Sequence, residues 1–439
     1  MKPYLSPLFL LLLFSTLSSA QQSLLQSGPM LGYNEMREVL LWVQTTEPAQ
    51  VQFAYWPKDK PGEKHYTEAK RTQKSEAFTA KLLADEVEPG TEYAYQLLIG
   101  EQAVKLDYLT EFKTQELWRW RYDPPAFSVA IGSCAYVNEE VYDRPGKPYG
   151  SDYQIFNAIF QESPDAMIWL GDNTYLREAD WYSRTGILKR YTHTRSLPDM
   201  QPLLASAHHY AIWDDHDYGA DNSDRTYVHK ETTLEAFRLF WGNPTFGVNG
   251  QKGITTFFQY NDIDFFLVDD RYFRSPNRLE GGDHTMLGKE QLEWLIGALA
   301  ASYAPFKMVC IGNQVLNPVK AHETYENLFP EERAYLLKRI EEEDIRNVVF
   351  LSGDRHLTEL SKYVNARDNA VYDLTISPLT AGVNPTNEAN ELRVEGTLVN
   401  EHNFGLLEFS GPRTERVLKI RVIDANGNEE WAREIPSAK

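Results

Sequence analysis

At 439 residues the chain is longer than one small core organises, and two domains are the natural expectation. Its 42% apolar and 24% charged residues are ordinary for a folded globular protein and exclude a wholly disordered one. A formal net charge of −19 argues against stable nucleic-acid binding, while a local basic pocket can still accept a phosphate ester.

Residues 1–20 read as a signal peptide. Lys2 supplies a weak positive start, 5–17 is mostly apolar, and Ser18-Ser19-Ala20 fits a small-residue cleavage site. The apolar stretch is short for a bilayer span and no later segment offers one, so the expectation is an exported protein without a transmembrane segment, periplasmic or extracellular. Export permits disulfides, yet only Cys134 and Cys310 occur. Cys310, in the apolar run 308–311, reads as a buried small hydrophobe, and a bridge between the two is left open.

The stretch 21–116 predicts a small all-β domain. Val39, Leu41 and Val43 alternate, as do Val51, Phe53 and Tyr55, and the segments 76–83 and 93–99 continue the series. Pro89-Gly90-Thr91 followed by Tyr93 and Tyr95 resembles the tyrosine-corner region of a fibronectin type III sandwich. A linker, 117–126, carries Trp, Arg and two prolines, and 127–439 alternates strands with helical stretches.

In that second region Ser151-Asp152 is expected to cap a helix whose Ile155, Phe156, Ile159 and Phe160 share one face. Further amphipathic helices are predicted over 230–241 and 289–299, and another starts at Pro330 with Leu336, Leu337 and Ile340 as its apolar stripe. Buried strands are predicted at 127–131, 166–170, 211–213, 265–268, 308–311, 348–351 and 372–376. Antiparallel strands at 404–409 and 417–423 follow.

Four of these apolar runs end in a polar cluster. They are Gly132-Ser133-Cys134, Gly171-Asp172-Asn173-Thr174-Tyr175, Trp213-Asp214-Asp215-His216-Asp217 and Ser352-Gly353-Asp354-Arg355-His356. Ligand sites of open α/β sheets lie beyond the carboxyl ends of strands, so a thiol, carboxylates, a phenol and imidazoles delivered there make a metal cage. Asp172 has two oxygens with which to bridge two ions, and Tyr175 lies within one turn of it. Thiolate and phenolate together favour a strongly polarising cation, above all Fe³⁺, whereas an all-oxygen set favours Ca²⁺, Mg²⁺ or Mn²⁺.

Each residue taken singly has a plainer reading. A strand-end aspartate often only caps a turn, a lone tyrosine packs, and a cysteine among small residues is usually inert. Three carboxylates within 214–217 are harder to explain so, because they repel one another unless cations or hydrogen bonds compensate. The conjunction points to a metallohydrolase.

The ordered set resembles the alkaline phosphatase D family, a branch of the calcineurin-like metallophosphoesterases. Supporting matches are Asp269-Asp270-Arg271-Tyr272-Phe273-Arg274, Leu287-Gly288-Lys289-Glu290-Gln291 with Trp294, Gly312-Asn313-Gln314 and Asn403-Phe404-Gly405. The resemblance implies a four-layer αββα catalytic domain behind a fibronectin type III-like β-sandwich. It implies iron at Cys134, Asp172, Tyr175 and His356, with Asp172 bridging to a second ion held by Asp215 and Asp354. That second ion is expected to be Ca²⁺, with Mn²⁺, Mg²⁺ or Zn²⁺ as substitutes. Asp214, Asn222 and Gln314 are weaker candidates for its shell, and the register of Asp221, Asn222 and Asp224 is open.

His216 matches the position that assists the leaving group. Arg271 is either a bidentate clamp on phosphoryl oxygens or a salt bridge to Asp269 or Asp270. The implied reaction is hydrolysis of small or polymeric phosphate mono- or diesters, with a metal-activated water attacking phosphorus in line. A phospholipase or phosphotriesterase on the same site is the nearest alternative. A non-catalytic secreted binding protein, holding glycan through its sandwich, is the contrasting one.

Overall fold

Strands that bury apolar side chains on both faces need cover on both sides, and this chain supplies it with a second sheet inside and helices outside. The structure, a computed structural model, describes residues 24–279 and 281–438, so the predicted signal peptide lies outside the described residues. The first sheet has a parallel centre of Phe127–Gly132, Ala166–Leu170 and His208–Ile212. Asn403–Ser410, Val417–Asp424 and Glu429–Pro436 extend it antiparallel on one side. The second sheet runs parallel through Ile263–Leu267, Lys307–Cys310, Val348–Ser352 and Ala370–Thr375, with antiparallel edges Thr256–Tyr260 and Glu359–Val364.

Alternation along the second sheet divides its residues between two cores. Phe265, Leu267, Met308, Cys310, Val349 and Leu351 point inward to the facing sheet. Phe266, Val309 and Phe350 point outward, under helices Lys289–Ala301 and Pro330–Glu342. Between the sheets, Phe409 stacks on Phe127 at 4.9 Å and meets Phe265 at 6.3 Å. Helices Gln154–Gln161, Arg184–Arg195, Gln201–Ser206 and Lys230–Phe240 cover the other outer face, completing four layers.

Local expectations held unevenly. Ile155, Phe156 and Ile159 are buried as their spacing requires, but neither Ser151 nor Asp152 caps that helix: Tyr153 takes the N-cap position without a side-chain bond. The Pro330 helix buries Leu336 and Ile340 and half-buries Leu337.

The amino-terminal region packs Val39–Thr45 and Thr79–Ala84 against Gln50–Pro57 and Glu92–Ile99 around Leu41, Val43, Phe53, Tyr55, Tyr95 and Leu97. The hydroxyl of Tyr93 accepts the backbone N–H of Glu88 at 2.8 Å, a tyrosine-corner bond. A strand absent from the sequence reading, Leu25–Asn34, pairs antiparallel with Val39–Thr45 and touches His208–Ile212 in parallel at Leu31 opposite His208. One layer of the sandwich thereby continues the first sheet into nine strands.

Candidate metal centre

The carboxyl ends of the parallel strands all open on one rim, and the four clusters meet there. Close approach of their backbones depends on glycine. Gly171 has φ +93°, and a Cβ on it would lie 2.7 Å from Cβ of Asp214. A Cβ on Gly312 would lie 2.5 Å from the Oδ2 atoms of both Asp214 and Asp270. Cys134, Asp172, Asp354 and His356 all adopt left-handed backbone conformations, with φ of 59°, 53°, 62° and 54°. Four non-glycine residues in that sparsely populated region, all carrying candidate ligands, mark strain concentrated at a working site.

Three overlapping groups place their ligand atoms within 4.8 Å of one another: Cys134, Asp172 and His356; Asp172, Asp215 and His216; Asp214, Asp215 and Asp354. Asp172 belongs to two of them, the position a bridging carboxylate requires. The Tyr175 phenol lies 3.4 Å from Nε2 of His356, and its ring packs against His216 with centroids 4.4 Å apart. Nδ1 of His356 donates to the carbonyl of Gly382, which leaves Nε2, on the side of the Tyr175 hydroxyl, as the lone pair available to an ion. The Cys134 sulfur accepts from the Ser377 hydroxyl at 3.1 Å.

The electrostatics call for cations. Burial pushes the Asp172 carboxyl well above the usual range, and the neighbouring Asp215, Cys134, Asp214 and Asp354 push it further. Burial likewise raises Asp354, helped by Glu323, and raises Asp214 against the pull of Arg271. Burial raises the Cys134 thiol and lowers His356. Asp215 moves the other way: His216, Arg271 and the Asn222 amide together outweigh burial and hold it below the carboxylate range. Asp214 Oδ2 and Asp215 Oδ1 are buried without a hydrogen-bond partner. Unpartnered carboxylate oxygens in a cluster of repelling acids, beside a thiol, a phenol and an imidazole, are the donor set a cation pair would satisfy.

Not every predicted residue joins the cluster. Gln314 spends both donors on Glu359 and Thr375, at 2.9 and 2.8 Å, and both lone pairs on Asn317 and Arg355, so no lone pair remains for an ion. The side chain of Asn222 engages Asp221 and Asn277, and its backbone N–H rather than its amide reaches Asp215, at 2.5 Å. Asp217, third acid of the Trp-Asp-Asp-His-Asp run, is structural: its Oδ2 accepts the backbone N–H groups of Asp214 and Asn173, and burial pushes it up to about 7.

Arg271 is completely buried, with Nε on Asp214 Oδ1 and Nη2 3.5 Å from Glu323 and 3.9 Å from Asp215. Its pairing is therefore with Asp214 rather than with Asp269 or Asp270. The guanidinium grips the second group of carboxylates from behind, and the phosphoryl clamp expected as its alternative role is not what this geometry builds. His216 is partly exposed, its side chain 24% accessible and its Nε2 3.8 Å from Asp221.

Sequence reasoning missed Glu323, Ser377 and Gly382. Glu323 is buried with φ 60°, and its Oε2 accepts from Asn313 at 2.8 Å and Arg274 at 3.2 Å. None of the three sits in a recognisable pattern. Only the short distance of Ser377 and Gly382 beyond the strand Ala370–Thr375 could have drawn attention to them. Cys310 is buried and unbridged, and so is Cys134.

Comparison with known proteins agrees with this geometry. Residues 129–411 match the model of the PhoD-like phosphatase family, and 22–117 match a domain of unknown function, DUF7800. Alkaline phosphatase D of Bacillus subtilis strain 168 is 22% identical over 331 residues, which is 64% of this chain and 53% of that protein. The chain thus spans about half the length of the curated relative it matches. A solved structure titled "Structure of PhoD" superposes with a TM-score of 0.75 at 16% identity, covering 95% of this chain and 93% of the other. A purple acid phosphatase from yellow lupin (Lupinus luteus) seeds gives 0.68 at 13% identity, covering 93% and 74%. These two likenesses establish the fold, and the family match runs through all four polar clusters, from Gly132 to His356. By its sequence, and with a fold to match, the chain belongs to the PhoD-like phosphatase family.

Proposed function

We propose that this protein is an exported, metal-dependent phosphoric ester hydrolase acting on phosphate mono- or diesters. The observation that carries the reading is the convergence of Cys134, Asp172, Asp215, Asp354 and His356, from four distant segments, into one buried cluster with unpartnered carboxylate oxygens. The name of the Bacillus relative points the same way. Sulfur, phenol, imidazole and carboxylate at Cys134, Tyr175, His356 and Asp172 suit Fe³⁺, and the all-carboxylate group of Asp214, Asp215 and Asp354 suits Ca²⁺. Bound there, such a pair of ions supplies a water of lowered pKa for in-line displacement at phosphorus and neutralises charge on the phosphoryl oxygens.

The chain's own groups do the rest. Asp172 spans the two ligand groups, and its Oδ1 is oriented by the His216 backbone N–H at 3.2 Å. His216, packed against the Tyr175 ring and partly exposed, is placed to donate a proton to the departing ester oxygen. Arg271, itself paired with Glu323, holds Asp214 from the rear, the kind of support that orients ligands in metal sites. Export rests on the amino-terminal leader pattern of residues 1–20, and no helix among the described residues is long and apolar enough to cross a membrane.

Metal analysis of the purified protein, together with hydrolysis of p-nitrophenyl phosphate and bis(p-nitrophenyl) phosphate, tests the reading. Iron and calcium with turnover are expected, and iron and turnover should be lost in C134A. A protein holding neither ion and hydrolysing neither ester ends the proposal.

A further inference from the structure

The rim of the cluster carries one large side chain that the metal chemistry leaves without a task. Tyr149 is 47% exposed, whereas Tyr136 and Tyr175, against which it packs, are 8% and 4% exposed. It closes the segment 139–150, which has no regular secondary structure and contains Pro145, Gly146 and Pro148. The segment is nonetheless fastened. Asp143 lies 2.7 Å from Nε of Arg177 and accepts the Tyr136 hydroxyl at 2.8 Å. Asn138 exchanges two hydrogen bonds with the backbone of Gly150, each 2.9 Å.

Held in this way, the Tyr149 ring meets Tyr136 edge-on at 4.9 Å, Tyr175 at 6.3 Å and His356 at 6.1 Å. Its hydroxyl is 3.4 Å from Nδ1 of His356. Gly382 makes room for it, since a Cβ there would come within 2.9 Å of the ring. Tyr149, Tyr175 and His216 therefore form a row of flat groups along one border of the metal centre, and Tyr149 is the exposed end of the row. An aromatic left half-exposed beside a phosphate-processing site gains by covering its ring with another flat, polarisable group.

We infer that Tyr149 is the wall against which the organic part of the substrate packs, so that the site favours phosphate esters of flat aromatic groups, aryl or nucleobase-bearing, over those of short polyols. The inference rests on the hydrolase reading above and adds the class of ester. It requires that the ring, not the hydroxyl, carry the preference.

The test compares kcat/KM for phenyl phosphate and glycerol phosphate in the metal-loaded wild type and in Y149A, Y149L and Y149F, with metal content measured in each. The ratio of the two specificities, aryl over polyol, should fall about tenfold in Y149A and Y149L and stay at the wild-type value in Y149F. The loss should enter through KM for the aryl ester, with metal content equal to that of the wild type. Parallel loss on both esters, an unchanged ratio, or Y149F falling with Y149A overturns the assignment. Metal loss in Y149A and Y149L without a change in ratio overturns it too, by making Tyr149 a support for His356. A wild type inactive on both esters instead removes the hydrolase reading itself.

Discussion

Replacing Ser377 by alanine separates two jobs that one buried hydroxyl performs under the cluster. Its oxygen accepts the backbone N–H of His356 at 3.1 Å, and its proton goes to the Cys134 sulfur, also at 3.1 Å. Losing the acceptor strands the His356 amide, at a cost of about 1–3 kcal/mol whether or not metal is bound. Losing the donor matters only when the sulfur is charged, as it must be to hold a metal ion. A hydrogen bond to an ionised group contributes about 1.5–3 kcal/mol, equivalent to roughly one to two pKa units at 1.36 kcal/mol each. The change adds to the upward push that burial already gives this thiol. S377A should therefore unfold more easily in urea without metal by about 1–3 kcal/mol. Its iron affinity in chelator competition should fall a further ten- to hundredfold, with half-loading moved to higher pH by about one to two units. Equal losses in metal-free and loaded protein, with the pH of half-loading unmoved, would refute the argument and reduce Ser377 to packing.

Three further outcomes are expected. G312A pushes a methyl into Asp214 and Asp270, so calcium affinity measured by titration calorimetry should drop about tenfold or more while absorption from iron bound to Cys134 and Tyr175 persists. Loss of both signals together would show that the two groups of ligands are not independently built. R271A leaves Asp214 without its guanidinium partner in the interior, while Glu323 keeps Arg274, and should destabilise the protein by about 3–5 kcal/mol in denaturant titration; a cost under about 1 kcal/mol contradicts the pairing. In metal-free protein, Asp172, Asp214 and Asp354 have folded-state pKa values raised above those of the unfolded chain. They bind more protons folded than unfolded once pH exceeds about 4, so stability should decline as pH rises from there toward neutrality. Metal-loaded protein should lack that decline, and urea midpoints from pH 4 to 8 with and without chelator decide the matter.

Much of this centre was legible because it obeys a simple rule: an apolar run ends, a glycine permits close approach, and a ligand follows. Asp172 after 166–170 and Asp354 after 348–352 are such cases. The supporting groups were not legible because they come from segments without periodicity. Glu323 sits in a loop at φ 60°, and Gly382 contributes only a carbonyl, which any residue carries. The helix Arg184–Arg195 escaped for a different reason. Its buried face holds Arg190, Tyr191 and Arg195, satisfied by Asp180 at 2.8 Å and by the Trp241 ring at 3.9 Å, so it shows no apolar stripe. The strand Leu25–Asn34 was hidden by Gly28-Pro29, which reads as a breaker, and by pairing whose register shifts along its length. The sequence leaves Arg271 open between a phosphoryl clamp and a salt bridge to Asp269 or Asp270, and its contact with Asp214 was not foreseen because Asp214 lies far from it along the chain.

The central claim is that Cys134, Asp172, Tyr175 and His356 clasp one ion beside a second held by Asp215 and Asp354. Anomalous scattering from crystals of metal-loaded protein, collected on both sides of the iron edge, tests it most directly. An iron peak is expected within bonding distance of the Cys134 sulfur and of His356 Nε2, with a second, non-iron peak against Asp215 and Asp354. Iron bound elsewhere, or the Cys134 sulfur outside the coordination sphere of every ion, contradicts it.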